Sequence, residues 1–464
     1  MQRIEIIKTK ENIGEKVKLA GWIHFKRNLG KITFITLRDR SATVQIVCPL
    51  KKLDEKTNEK IEKLNSEYVV EIVGQVNKRP ESQFNQDMKT GELEVKLEDI
   101  KILSESKTPP FEINKDRKIK EELRLQYRYL DLRRENVKDN IVLRYKTIKA
   151  IRDYLDKKGF LEIETPILSK GTPEGSREFI VPSRLYPGEF FTLPQAPQQF
   201  KQLLMIGGIE KYFQIARCFR DEGTRGNRQP EFTQFDIEMS FVDQEMILSL
   251  VEDLVVSVIK DVLPNKKINT PFKRLTFKEA MEKYNSDKPD IRKNKEDKDE
   301  LAFCFITDFP LFEMSETEDK IVSVHHPFTA PQEKDIPLLD KDPLKVKALQ
   351  YDLVCNGHEI AGGSIRIHKK DLQNKIFKIL SLSKQNIEKK FGHLLKAFDY
   401  GAPPHGGIAF GLDRLIMTLS NAENIREVIP FPKTSDNRDL MMGAPSSLPK
   451  ETLKEVHIKV DKEK

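Results

Sequence analysis

Charged side chains crowd a loop between two apolar runs, and their types point to the handling of anions. Phe213 to Phe219 and Phe232 to Phe241 read as strands; between them lie Arg220, Asp221, Glu222, Arg225, Arg228, Gln229 and Glu231. Arginine grips phosphate or carboxylate through a planar, two-pronged fork. An Arg followed by Asp-Glu therefore suits a polyanion on one side and an amine or a metal on the other. By itself the loop is better read as a solvated hairpin tip with surface ion pairs. Three further clusters accompany it. Thr172-Pro173-Glu174-Gly175 precedes Pro194-Gln195-Ala196-Pro197-Gln198-Gln199-Phe200-Lys201, where proline-ringed Gln and Lys ahead of a helix suit recognition of a small polar ligand. Asp352 and Glu359, with Gly362-Gly363-Ser364 and Arg366 behind them, suit Mg²⁺ and an anionic ligand. Gly406-Gly407-Ile408-Ala409-Phe410-Gly411-Leu412-Asp413-Arg414 leads into an apolar helix, with glycines for close backbone approach and Arg414 at the helix start. Singly, each cluster has an ordinary structural explanation as an ion pair, a turn or a packing glycine; together, in this order, they carry weight. The chain has no Gly-x-x-x-x-Gly-Lys loop, so arginines must hold any bound nucleotide. No Ser or Cys nucleophile constellation is evident.

The elements that must position these residues fall into two groups. Lys16 to Ile102 alternates short β-rich runs with turns: Val17–His24, Ile32–Leu37, Thr43–Val47, Tyr68–Val76 and Leu93–Ile102, with a charged helical stretch, Lys51–Leu64, between the third and fourth. Five strands with a helix in that place predict an OB-fold barrel, a frequent binder of single-stranded nucleic acid. Polar Ser104 to Lys120, with Pro109-Pro110, reads as a linker. Beyond it, Ile141, Tyr145, Ile148, Ile151 and Leu155 follow helical spacing up to Gly159, and Phe160 to Pro166 reads as a strand that stops at proline. Strands and helices then mix without βαβ alternation, which predicts an antiparallel α+β domain. Lys288 to Glu300 is a charge run and reads as a solvated surface excursion.

At 464 residues the chain is long enough for two or three domains, and a net charge of +7 is compatible with a nucleic-acid partner without requiring one. Cys48, Cys218, Cys304 and Cys355 form no Cys-x-x-Cys pair, which argues against a disulfide framework or a cysteine zinc site. With no signal-like N-terminus and no run long enough to span a bilayer, a cytoplasmic protein is expected.

The strand ending at Pro166, the Phe219-Arg220-Asp221-Glu222 loop and Gly411-Leu412-Asp413-Arg414 resemble motifs 1, 2 and 3 of class II aminoacyl-tRNA synthetases. Within that class the chain is similar to the bacterial-type aspartyl family. Its most specific stretches are Tyr127 to Arg134, Gln229-Pro230-Glu231-Phe232-Thr233-Gln234 and His325-His326-Pro327-Phe328-Thr329. The resemblance implies a two-step reaction: aspartate and Mg·ATP give aspartyl-adenylate and pyrophosphate, then the aspartyl group passes to the terminal ribose of tRNA-Asp. It implies an OB-fold anticodon domain over 1–105, a linker over 106–135 and a class II catalytic domain over 136–464. The domain usually inserted between motifs 2 and 3 would be reduced to a short segment around 274–303.

Carried over residue by residue, Arg220, Glu359 and Arg414 would be catalytic. Arg220 would bind the α-phosphate and the reacting carboxylate, and Arg414 the γ-phosphate of a bent ATP. Asp221, Glu222, Gln229 and Gly411 to Asp413 (with Leu412 between them) would line the ATP site; Asp352 and Glu359 would hold Mg²⁺. Lys201 and Arg366 would select the aspartate side chain, because asparagine would leave both cations without a counter-charge. Asp236 would hold the ammonium, and Glu174, Gln198, His325 and His326 would close the pocket. Phe34 would stack on an anticodon base, Gln45 and Glu94 would read base edges, and Arg27 and Arg79 would lie near phosphates. Motif 1 implies a homodimer. Ala196 stands where many relatives carry serine. Rival readings are the asparaginyl or lysyl branch, a non-catalytic RNA-binding paralogue and an asparagine-forming ligase without the barrel. Charging of tRNA-Asn stays open, and Leu29 leans towards tRNA-Asp alone.

Overall fold

The computed structural model describes residues 1–114, 118–171, 176–223, 227–315 and 319–461, and divides into two units, Met1–Glu121 and Glu122–Lys464. Glu174 and Arg225 lie outside the described residues.

In the first unit, β1 (Lys16–Asn28), β2 (Ile32–Arg38), β3 (Thr43–Pro49), β4 (Val69–Lys78) and β5 (Leu93–Ser104) close a barrel in the order β1-β2-β3-β5-β4, with α1 (Glu55–Lys63) between β3 and β4. Strict alternation dictates this. Along β1, Val17, Leu19 and Ile23 are buried while Lys18, Ala20 and Trp22 are only half-buried, as a strand with one face on a core requires. Asp54 caps α1 by accepting from Thr57 N at 2.8 Å.

The second unit is built on an eight-stranded sheet. Its strands are β6 (Leu161–Glu162), β7 (Lys211–Phe219), β8 (Glu231–Ser240), β9 (Lys273–Thr276), β10 (Phe303–Thr307), β11 (Gln350–Cys355), β12 (His358–Ile365) and β13 (His405–Gly411), in the order β9-β10-β11-β12-β13-β8-β7-β6. Only the outer pairs β9·β10 and β6·β7 are parallel; the six central strands run antiparallel. The helices that frame the site are α2 (Glu135–Lys157), α3 (Gln198–Ile206), α4 (Gln244–Val262), α5 (Phe277–Tyr284) and α6 (Leu412–Ser420). The main core packs Ile151 and Leu155 of α2, Leu248 and Val251 of α4 and Leu415 and Ile416 of α6 against Phe235, Tyr351 and Phe410 of the sheet.

Two expectations are corrected. The strand predicted over Phe160–Pro166 pairs only at Leu161 and Glu162, because the chain leaves β7 after two register partners. Tyr145, placed on the apolar stripe of α2, is 65% exposed. Ile151 and Leu155 on that stripe are buried, and Gly159 follows with φ +77°, a left-handed turn that L side chains resist. All four cysteines are buried and none is in a disulfide among the described residues; burial pushes the Cys48 and Cys304 thiols up to about 12, which leaves those two unreactive.

Candidate active site

A cavity of about 430 Å³ opens over the middle of the large sheet, and most of the residues picked out from sequence converge on it. Its lining includes Gln198, Lys201, Arg220, Glu222, Gln229, His325, His326, Glu359, Arg366, Gly411, Asp413 and Arg414. Neighbouring antiparallel strands and the starts of α3 and α6 aim these side chains at one volume.

One end of the cavity is a buried charge cluster. Lys201 on α3 is 1% exposed; its Nζ lies 2.5 Å from Asp236 Oδ1 and 3.2 Å from Glu238 Oε2. Arg366 donates to Glu238 from Nε (2.9 Å) and Nη2 (3.2 Å), and from Nη1 to Ser364 Oγ (2.7 Å), with His326 Nε2 a further 2.9 Å neighbour of Nη1. Glu238 was absent from the sequence-based expectations, yet it joins both cations. The signal was present: Asp236 and Glu238 are two apart in one strand, so both point to one face. Room for Glu238 comes from Gly407 across the β8·β13 pair, where a Cβ would lie 2.2 Å from Glu238 Oε2. Burial works to raise the Glu238 carboxyl, but Arg366 and Lys201 outweigh it and hold the group down at about 2. For Asp236 burial prevails and the carboxyl is raised despite Lys201. Desolvation within the cavity and the nearby Arg366 lower His325, which still keeps an exposed edge, and desolvation and His325 lower the half-buried His326.

These contacts revise two expectations. Asp236 is fully buried behind Lys201 rather than on the cavity wall, so it orients the lysine instead of facing an ammonium. Lys201 and Arg366 are not bare cations, since their charges are matched by Asp236 and Glu238. A lysine has three N–H donors and an arginine five. Among the described residues Lys201 donates one N–H to Asp236, and Arg366 donates two to Glu238 and one to Ser364, which leaves each cation N–H groups to offer.

A second group of cavity residues is suited to phosphates. Arg220 follows β7, held by its N–H to Pro230 O (2.8 Å), and its guanidinium stacks on Phe232 at 5.1 Å; Nε is buried with no partner among the described residues. Arg414 lies in the first turn of α6 and donates from Nη1 to Glu359 O at 2.6 Å. Asp413 is tied down by Arg144 Nη1 and by Thr233 N, while Leu412 is buried in the core and anchors the helix start. Glu222 accepts from Ser176 Oγ and Arg228 Nη1, and Asp221 stays off the cavity wall. Gln229 lines the cavity, but its amide is spent on the backbone of Lys433, with Nε2 donating at 3.1 Å and Oε1 accepting at 2.7 Å. It fixes the 433 segment instead of presenting a free amide. Gln198 lines the cavity and donates to Gln202 Oε1 (3.3 Å).

Asp352 and Glu359 meet at Gly362, where an added Cβ would lie 3.0 Å from Asp352 Oδ1 and 3.9 Å from Glu359 Oε1. Burial and repulsion from Glu359 raise the Asp352 carboxyl, whereas Arg414 and Lys288 overcome burial and lower Glu359. A carboxylate pair flanking one side-chain-free point suits Mg²⁺, which takes one or two carboxylates and completes its shell with phosphate and water. Among the described residues no group of three or more His, Cys, Asp or Glu could cage a metal, in keeping with that sharing. Lys288, assigned from sequence to a solvated run, reaches this cavity with Nζ 3.0 Å from Glu359 Oε2.

Residues 120–435 match the family of class II tRNA synthetases for D, K and N, and residues 17–103 match the OB-fold nucleic acid binding domain. The chain belongs to the class II aminoacyl-tRNA synthetases. The synthetase is 41% identical to the aspartate–tRNA(Asp/Asn) ligase of Dehalococcoides mccartyi over 98% of each chain, and 42% identical to that of Dictyoglomus turgidum over 97% of this chain and 96% of the other. The first alignment runs over 589 positions against 464 residues, so the relative carries many residues with no counterpart here. In fold, the synthetase is similar to the asparaginyl-tRNA synthetase of Pyrococcus horikoshii, with a TM-score of 0.76 at 24% identity over 94% of this chain and 98% of the other. A structure from Leishmania major described as a putative aspartyl-tRNA synthetase gives 0.74 at 21% identity, over 93% and 94%.

On the barrel of the synthetase, register places Phe34 opposite Arg27 on β1 and Val47 on β3, on the outward face, while Ile35 points into the core. Phe34 is therefore half-buried on a surface rather than part of the core. Gln45 and Glu94 are cross-strand partners and bond to each other at 3.2 Å. Arg79 turns back to Gly91 O at 3.2 Å, whereas Arg27 is exposed. Phe25, passed over in the sequence, shares this outward face opposite Thr36 and is 54% exposed.

Proposed function

We propose that this synthetase condenses L-aspartate with ATP to aspartyl-adenylate and then esterifies the terminal ribose of tRNA-Asp. The reading rests on one observation: one cavity is lined by two buried cations that retain N–H groups to offer and by Arg220 and Arg414. A side-chain carboxylate offers two acceptors to those two donors. An asparagine side chain would turn an NH₂ against one of them and leave a buried charged donor unpaired. A site built around polar partners rejects such a mismatch by several powers of ten.

In the first step an oxygen of the substrate α-carboxylate attacks the α-phosphorus and the bond to pyrophosphate breaks. The buried Nε of Arg220, without a partner among the described residues, faces the developing negative charge without reorganisation, and Arg414 holds the far phosphates. Mg²⁺ bound at Asp352 and Glu359 would neutralise phosphate charge. In the second step a ribose hydroxyl attacks the acyl carbon and AMP leaves. The barrel face carrying Phe34, Phe25 and Arg27 serves the anticodon through stacking and phosphate contact. A homodimer is supported by apolar side chains left exposed around the motif 1 strand, namely Leu161, Ile167, Leu168, Phe190 and Phe191.

Aspartate-dependent ATP–pyrophosphate exchange tests the reading. Lys201→Met and Arg366→Leu should each lower kcat/KM for aspartate by about a hundredfold or more, since each removes one member of a buried charge pair. Near-normal exchange in both folded variants would overturn the assignment. The relatives named for tRNA(Asp/Asn) favour a second reading, in which tRNA-Asn is also charged, against the lean given by the exposed Leu29 in the β1–β2 turn. Aspartylation of the two purified tRNAs decides between them.

A further inference from the structure

Lys288 sits in the short segment that follows α5. Its ammonium lies 3.0 Å from Glu359 Oε2, the same oxygen that has Arg414 Nη1 at 3.8 Å. The segment is built to deliver it there. Asn285 closes α5 in the left-handed region at φ 51°, and Lys288 N donates to Ser286 Oγ at 3.0 Å. Arg292 clamps Asp290 with Nε at 3.1 Å and Nη2 at 2.8 Å. Lys293 N and Asn294 N both donate to the buried carboxylate of Glu300, at 3.3 and 3.4 Å. Asp290 also packs on the β11–β12 turn, 3.6 Å from where a Cβ on Gly357 would stand. A surface excursion with this many internal bonds holds its lysine at a fixed place.

We infer that Lys288 is a binding and positioning residue for the polyphosphate end of ATP, pairing with Glu359 in the nucleotide-free enzyme and turning to the β- and γ-phosphate oxygens when Mg·ATP enters. This rests on the function proposed above. An ammonium and a divalent cation on one carboxylate repel each other strongly at such distances. Lysine carries its charge on a flexible four-carbon stem and can shift by a few bond lengths. The anion nearest to hand is then the triphosphate held by Arg414.

The test uses the full-length protein with Lys288→Met, Lys288→Gln and Lys288→Arg. Calorimetric binding of Mg²⁺ with α,β-methylene-ATP, a non-reacting analogue, reads affinity apart from turnover. The Met and Gln variants should bind it about tenfold more weakly, and their KM for ATP in pyrophosphate exchange should rise by a similar factor. Their KM for aspartate should stay within about twofold of the parent, and the Arg variant should recover most of the ATP affinity. The side chain is 44% exposed, so its replacement leaves the core untouched. Unchanged analogue affinity in the Met and Gln variants would overturn the inference, as would an equal rise in both KM values. A parent enzyme without aspartate-dependent exchange would instead sink the functional reading, so the two failures are distinguishable.

Discussion

Glu238→Gln isolates the residue that joins the two substrate-facing cations. The change keeps shape and removes one buried charge, leaving Lys201 and Arg366 opposed by Asp236 alone. Holding the carboxyl at about 2 against an ordinary 4.5 corresponds to roughly 3 kcal/mol of folding free energy, at about 1.4 kcal/mol per tenfold. Breaking a buried pair from one side costs a similar amount, about 3–5 kcal/mol. For a unit of this size that loss lowers Tm by roughly 5 °C at pH 7.5. The sign with pH is fixed: a carboxyl depressed on folding contributes fully above about 4.5, and its contribution fades as pH falls towards 2. Melting curves of parent and variant, followed by tryptophan-independent circular dichroism, should therefore stay a constant distance apart from pH 8 to 5 and converge below that. Arg366 also loses the two-pronged partner that orients it, so kcat/KM for aspartate should fall by about a hundredfold while KM for ATP holds. A variant that melts with the parent at pH 7.5, or a gap that widens between pH 5 and 4, would refute the reasoning.

Phe34→Ala removes a stacking surface from the barrel and should weaken tRNA-Asp binding about tenfold or more, leaving tRNA-free pyrophosphate exchange unchanged; filter binding and exchange assays check both halves. Light scattering at micromolar concentration should return twice the 53.8 kDa chain mass, and a monomeric value would remove the dimer from the proposed function.

Much of this arrangement was legible because its signals are local. Alternation in β1 to β5 gives the barrel, and charge density between two apolar strands gives the Arg220 loop. What stayed hidden depended on partners distant in sequence. Nothing around Gln229 tells that its amide will bind Lys433, and nothing around Lys201 tells that its charge will be matched from β8. Glu238 was overlooked because a carboxylate in an apolar strand looks anomalous until a second cation is placed beside it. Lys288 was lost among like neighbours, where composition masks a side chain that reaches the cavity. Tyr145 obeys helical spacing but meets solvent, because a stripe predicts which face is apolar and not what will cover it.

The missing side chain at position 407 has a practical corollary for anyone who wishes to redirect the enzyme to another amino acid. A methyl group there would stand 2.0 Å from Ile237 O and 2.2 Å from Glu238 Oε2, so the glycine and the carboxylate occupy one shared space across two strands. Libraries that vary position 238 alone will sample only replacements that fit this gap. Because the same methyl would also strike the Ile237 backbone, position 407 admits only glycine, and a bulkier selector calls for changes at 238 coupled to its cationic partners Lys201 and Arg366.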